Sequence, residues 1–470
     1  MPKQWIGFWV VLLLLQLSSI HAAESHAEAI EQAMASDRIA AAKIQADQTR
    51  PVFHFRAMAN WMNDPNGPIY HQGRYHMFYQ HNPTHDDWGN LHWGHAVSKD
   101  LLHWVHYPHA LAPSKELGEN HVYSGCAAIN GNGQPMLFYT SIGHGKSDME
   151  YAEQWAAVGD PQLMTWSKLT NNPVLSLDLH GDLKVSDWRD PFIFDFKGEK
   201  HMVLGGNLNK RKGGEAVVLH YKAKNKELTA WEYKGIIFRH PDPKVVNIEC
   251  PNFFELDGKW VLIISPHREV EYFVGSFDGE TFRSEKSGLL DVSGNFYAPN
   301  SLVDGRNRRV LWGWVRGWPK GRGWNGCLSV PRVLEVKRDG TLIQKPAREL
   351  EKLRGKRNGA MKGNSFEVMS ELDRRKKEGF TVRSDKMRVA IQATEGGVQV
   401  GDRSIPLGAD EKRAKVRLFW DRSVLEVFVN ERNAVTMVFP DLADPELEVV
   451  LEEQGVKPRK LDFWSMKSVW

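Results

Sequence analysis

The chain has 470 residues, more than a single ordinary hydrophobic core accommodates, so two domains are expected. Its 61 basic and 58 acidic residues leave a net charge of +3, which offers no field for a polyanion and sets nucleic acid aside as a partner. A hydrophobic share of 41% with 25% charged residues excludes disordered bulk, and 18 tryptophans supply flat faces that stack on sugar rings as well as fill β-rich cores.

In residues 1–23 a lysine, Lys3, precedes an apolar run of about a dozen residues, followed by small residues around Ala22 and Ala23, the pattern of a secretory signal peptide. The run is short for a membrane span, and no later segment approaches the ~18 apolar residues that crossing requires. The mature chain is therefore expected to be soluble and exported, to the periplasm or the medium; an N-terminal anchor that is retained is the competing reading. Residues 24–50 are Ala-rich with helical periodicity and read as a helical spacer.

After Pro51 the pattern changes to short β-type runs cut by Gly, Asn and Asp. Five times a strand with a polar start ("NDPNGPIY", "YSGCAAIN", "RDPFIFDF", "ECPNFFEL", "YAPNSLVD") is followed by a Gly- or Arg-bearing turn and an apolar strand, and then by a more hydrophilic strand. Rounds of roughly 50–65 residues in one internal order predict a five-bladed β-propeller over residues 51–350. The first strand of each blade lines the central channel, so Asp64, Ser124, Asp190, Glu249 and Ala298 are placed at related positions around one pocket. From about residue 366 the strands alternate as in a β-sandwich; in "SVLEVFVN", Leu425, Val427 and Val429 share one face. The basic stretch 352–365 reads as a solvated linker, so residues 351–470 comprise linker and sandwich and the fold class is all-β.

Three carboxylates on one channel are costly to ionise together, and packing alone gives no reason to gather them. Two such groups suit cleavage of a glycosidic bond, one protonating the leaving oxygen and one meeting the oxocarbenium-like sugar. Asp64, in the turn Asn63-Asp64-Pro65-Asn66-Gly67, is expected to be held ionised and aimed, as a nucleophile requires. Glu249 enters the apolar "FFEL", where burial would raise its pKa and suit it as proton donor. Asp190 follows Arg189, which would keep it charged for holding sugar hydroxyls.

The segments "WMNDPNG" (61–67), "WRDP" (188–191) and "ECP" (249–251) resemble the three signatures of glycoside hydrolase family 32, the family of invertases, inulinases and levanases. The resemblance continues through "FYQHNP" (78–83), "WGNLHWGHAVSKDLLHW" (88–104), "YSG" (123–125), "WGW" (312–314), "LSVPR" (328–332) and "DRSVLEVFVN" (421–430). It implies a propeller with a sandwich, and retaining hydrolysis of β-fructosides with Asp64 as nucleophile, Glu249 as acid/base and Asp190 as transition-state stabiliser. It further implies that Trp61, Asn63, Gln80, Trp88, Ser124 and Arg189 line the fructose subsite; Met62 and Tyr123, from the same motifs, complete the candidate substrate-binding set. The substrate implied is sucrose or a fructan cleaved by exo-action, and neither metal nor organic cofactor is expected. A fructosyltransferase on the same scaffold and a non-catalytic sugar-binding propeller stay open as alternatives.

The chain departs from the family pattern at Cys126 after "SG", Asn300 after "YAP", Cys327 before "LSVPR" and Ile248 before "EC", the last placed on the leaving-group side. Cys126, Cys250 and Cys327 form neither a disulfide framework nor a zinc spacing. The histidines of the run 81–109 are irregularly spaced, and are expected to serve as hydrogen-bonding strand and loop residues.

Overall fold

The computed structural model describes residues 26–144, 152–209, 213–442, 446–451 and 456–470. The signal-peptide segment lies outside the described residues. A helix over residues 26–43 comes first, and it is no free spacer: Ala33, Asp37 and Ile44 are buried where this segment packs on the β-rich body of the chain.

Five antiparallel sheets then succeed one another, each running outward from an inner strand in chain order. The inner strands are Asn60–His71, Glu119–Ile129, Val185–Phe196, Glu249–Leu256 and Phe296–Val303. This is the expected propeller. Outermost strands such as Phe282–Leu289 alternate toward solvent, while second strands such as Lys259–Ser265 are buried along almost their whole length. The short strand Trp324–Asn325, from the last blade, pairs in parallel with the first inner strand and ties the ring.

All five inner strands carry the same irregularity. Met62–Pro65, Val122–Gly125, Arg189–Phe192, Glu249–Asn252 and Tyr297–Asn300 each set three residue steps against two on the neighbouring strand. A β-bulge of this kind bends the strand and re-aims side chains. It also accounts for the repeated proline: Pro191, Pro251 and Pro299 lie inside the bulges and Pro65 closes one, where a missing N–H costs no ladder bond. Asp190, Cys250 and Ala298 accordingly take positive φ, at 64°, 47° and 44°. The five positions expected to be equivalent are thus offset within a shared bulge: Glu249 opens its bulge, Asp190 and Ala298 stand one residue in, and Asp64 and Ser124 two residues in. Gly125 is required here, because a Cβ would sit 1.9 Å from the Phe138 carbonyl oxygen.

The sandwich comprises two six-stranded sheets. The stretch expected to be a linker is built into both: Arg354–Arg357 pairs with Lys460–Met466, and Lys362–Gly363 with Leu447–Val450. Leu425, Val427 and Val429 do share the sandwich core, each such side chain contributing about 1.5–3 kcal/mol by burial. The opposite face is equally buried, against the propeller, where Phe428 packs with Phe53 and Val330. On that face Glu426 accepts from Arg332 at 2.6 Å and contacts His54 at 3.0 Å, while His54 also reaches Asp421 at 2.8 Å.

Candidate active site

At the mouth of the ring the bulges enclose a cavity of ≈ 360 Å³ lined by Asn63, Asp64, Gln80, Trp88, Tyr123, Ser124, Arg189, Asp190 and Glu249, with His267, Tyr297, Trp314 and Arg316. All three acids singled out from sequence therefore face one space. Asp64 is fixed from two sides: Ser124 Oγ donates to its Oδ2 at 2.6 Å, and Asn63 Nδ2 donates to its Oδ1 at 3.1 Å. Gln80 completes that chain, donating to Ser124 Oγ at 2.7 Å and accepting from Asn63 at 2.6 Å. Asp190 Oδ2 accepts the Cys250 N–H at 2.9 Å, and the Asp190 N–H donates to Thr140. The Cys250 thiol lies 3.6 Å from Asp64 Oδ2 and 3.5 Å from Asp190 Oδ2, so the fourth bulge touches the first and third. Glu249 is the more open member of the pair it forms with Arg189, with 22% of its side chain exposed against 5%. Arg189 donates to its Oε1 at 2.7 Å and Tyr297 to its Oε2 at 2.5 Å.

The electrostatics run against two expectations from sequence, that Asp64 is held ionised and that burial raises the pKa of Glu249. Burial, reinforced by Asp190 and Glu249 and opposed by the hydrogen bonds of Ser124 and Asn63, raises the Asp64 pKa to about 7. Burial likewise raises Asp190 to about 6, against the pull of Arg189. For Glu249 burial is outweighed by Arg189, His267 and the Tyr297 hydrogen bond, and the pKa falls below the ordinary glutamate value. Three carboxylates with one guanidinium form a coupled set whose protons belong to the group rather than to any one residue.

Two expected binding residues stand outside the cavity lining. Met62 is fully buried in the core below the site, its sulfur accepting the Ala57 N–H at 3.1 Å. Strand alternation inside "WMND" turns it away from the mouth. Trp61 acts one step back, donating to Asn63 Oδ1 at 2.8 Å and meeting Trp314 edge-on at 5.5 Å. Ile248 is also fully buried and lies off the cavity, so the leaving-group side is not shaped by its side chain. Trp88 is half exposed at the rim beside His121 and Tyr123.

Tyr297, His267 and Arg316 were not reached from sequence. Tyr297 opens the fifth bulge at the place Glu249 holds in the fourth, so aligning the repeats on their prolines would have found it. His267 and Arg316 come just after second strands, on loops, and carry no local signal; Arg316 stacks its guanidinium 4.4 Å from the Tyr297 ring.

Residues 54–346 match the model of the glycosyl hydrolases family 32 N-terminal domain, and residues 362–465 that of the family 32 C-terminal domain. A levanase of Bacillus subtilis is 31% identical over 500 aligned positions, spanning 90% of this chain and 71% of that protein. An insoluble beta-fructofuranosidase isoenzyme of Arabidopsis thaliana is 31% identical over 402 positions, 77% of this chain and 68% of its own length. Among solved structures, the beta-fructofuranosidase of Bombyx mori superposes with a TM-score of 0.80 at 25% identity, covering 94% of this chain and 99% of that one. Fructan 1-exohydrolase IIa of Cichorium intybus gives 0.76 at 23%, covering 90% and 98%, and supports the fold. With both domains matched in order and the acids of its signatures gathered in one cavity, the chain belongs to glycoside hydrolase family 32 and is a glycosidase acting on fructosides.

Proposed function

We propose that the protein is an exported, exo-acting β-fructofuranosidase that releases fructose from sucrose or from inulin- or levan-type fructans with retention of configuration. The observation that carries this reading is the single cavity in which a rigidly held Asp64 and a more open Glu249 face the same space. Asp64 attacks the anomeric carbon while Glu249 gives its proton to the leaving glycosidic oxygen, producing a fructosyl ester on Asp64. Glu249, now a carboxylate, takes a proton from water, whose oxygen attacks the same carbon and frees Asp64. Asp190 holds sugar hydroxyls through bonds that tighten as positive charge develops on the ring, and Trp88 stacks at the rim. These roles require Glu249 to hold the shared proton when sugar fills the cavity, whereas in the free site its surroundings lower its pKa and raise that of Asp64. Export rests on the pattern of residues 1–23.

The test is incubation with sucrose, inulin and levan in parallel, separating products by size and following the first-formed fructose anomer by NMR. Fructose as the sole small early product from inulin and levan, and fructose with an equal amount of glucose from sucrose, each fructose first released as the β-anomer, is expected. Intermediate-sized fragments at early times would refute exo-action, the α-anomer would refute retention, and oligofructosides growing at high sucrose would assign the chain to transfer. Asp64→Ala and Glu249→Ala should each lower kcat by at least about 10²–10⁴-fold with the circular dichroism spectrum unchanged.

A further inference from the structure

The helix over residues 26–43 lowers Asp37 onto the first blade between two histidines that the fructoside site does not use. Asp37 Oδ1 and Oδ2 lie 2.9 and 2.8 Å from His81 Nε2, and Oδ2 lies 2.9 Å from His109 Nε2. Asp37, His81 and His109 are 1%, 0% and 4% exposed. His81 Nδ1 stands 2.7 Å from the Trp61 carbonyl oxygen. A carbonyl only accepts, so Nδ1 carries hydrogen and the neutral ring turns the Nε2 lone pair toward the carboxylate. A lone pair and a carboxylate at this separation need a cation between them. A proton is one such cation, and a metal ion is the other.

Several features fit a metal. Two imidazole nitrogens and one carboxylate oxygen are a zinc donor set, with a fourth position left for water. Ligating histidines characteristically give their other ring N–H to a carbonyl, as His81 does to Trp61, and ligating carboxylates are themselves hydrogen-bonded. Asn60 Nδ2 donates to Asp37 Oδ1 at 3.1 Å while also bonding the Pro83 carbonyl at 2.8 Å. Tetrahedral zinc with bonds of about 2.0–2.1 Å spaces its ligand atoms roughly 3.3 Å apart, so each of the two carboxylate–imidazole separations needs to open by only about 0.5 Å. A cleft lined by Ala33, one helical turn before Asp37, and by His92, whose ring centre is 6.5 Å from that of His109, lies beside the cluster. Among the described residues these three are the set of His, Cys, Asp or Glu whose ligand atoms lie within 4.8 Å of one another. The sequence concealed it because the carboxylate comes from 44 residues before His81, on the segment read as a spacer.

We propose that Asp37, His81 and His109 bind one divalent transition-metal ion, zinc by preference, which clamps the N-terminal helix to the first blade. The clamp lies outside the reacting cavity and requires no metal in the chemistry. The test uses the full mature chain without an affinity tag, stripped by a chelator and titrated with Zn²⁺ by calorimetry and with Co²⁺ by visible absorption. One equivalent per chain is expected, with a low-coordinate Co²⁺ spectrum and a Tm that rises with Zn²⁺ concentration. Asp37→Asn and His109→Gln should each abolish that equivalent and the metal-dependent Tm shift. His201→Gln, which alters another buried histidine pair, should leave both intact. No stoichiometric uptake by the unaltered chain, or equal uptake by Asp37→Asn, would overturn the proposal and assign the cation to a proton.

Discussion

Replacing Tyr297 by phenylalanine separates the two roles available to Glu249. The Tyr297 hydroxyl donates to Glu249 Oε2 at 2.5 Å, and it also bonds the Ser265 carbonyl and accepts the His267 N–H. A hydrogen bond to a charged group contributes about 1.5–3 kcal/mol, and the tyrosine favours the carboxylate over the acid. At 1.36 kcal/mol per pH unit, its loss raises the Glu249 pKa by about 1–2 units, with Arg189 still in place at 2.7 Å. The assay is kcat at saturating sucrose across pH, which reports the sugar-filled site where the mechanism puts the proton on Glu249, for the unaltered chain and Tyr297→Phe. If Glu249 is the proton donor, activity persists while it stays protonated, and the alkaline limb moves up by about 1–2 units. If Glu249 were instead the group that must be ionised, the acid limb would move up and activity at low pH would be lost. Movement of the acid limb refutes the assignment of Glu249 as acid; limbs that both stay in place refute the control of its protonation by Tyr297.

Ser124→Ala is the complementary change: loss of the 2.6 Å bond disfavours the ionised form of Asp64, so the acid limb of kcat at saturating sucrose should climb by about 1 unit, and an unmoved limb would remove Asp64 as the ionised nucleophile. Trp88→Ala should raise KM about 2–10-fold with kcat nearly unchanged, since ring stacking contributes about 0.5–1.5 kcal/mol at a half-exposed site; steady-state kinetics on sucrose and inulin decide it. Between propeller and sandwich, burial disfavours the His54 cation, but bonds to Asp421 and Glu426 outweigh this and push its pKa up to about 9. A folded-state pKa above the unfolded one stabilises fully below about pH 6.5 and is lost as pH rises through about 9, up to about 3 kcal/mol in all. Urea midpoints from pH 6 to 9 should therefore fall, and fall less in His54→Gln; equal slopes would contradict the assignment.

Much of this protein was legible in one dimension because its structure is built from local pairings. Each blade is a meander of neighbouring strands, so period-two alternation and Gly turns mark it without knowledge of the other blades. The acids were legible because they stand at the polar starts of "NDPNGPIY", "RDPFIFDF" and "ECPNFFEL", first strands that line the channel, while the bulges their prolines occupy emerged only with the strand pairing. Whether a residue such as Met62 turns into the core or toward the cavity depends on the strand beside it, and there the sequence reading placed Met62 and Trp61 among the lining residues when both stand behind it.

What tertiary structure alone decided is the charge state and partnership of each buried group. The order of the Asp64 and Glu249 pKa values is set by Arg189 and Tyr297, which are 60 and 48 residues from Glu249, and local context pointed the opposite way. The basic stretch 352–365 became strand rather than linker because Leu447–Val450 and Lys460–Met466 lay open to pair with it. Asp37, indistinguishable in sequence from any exposed helical acid, is buried only because the fold delivers His81 and His109 to it. Strand pairing between neighbours is written in short-range pattern, whereas electrostatics in a low-dielectric interior belongs to whichever groups the folded chain brings within a few ångströms.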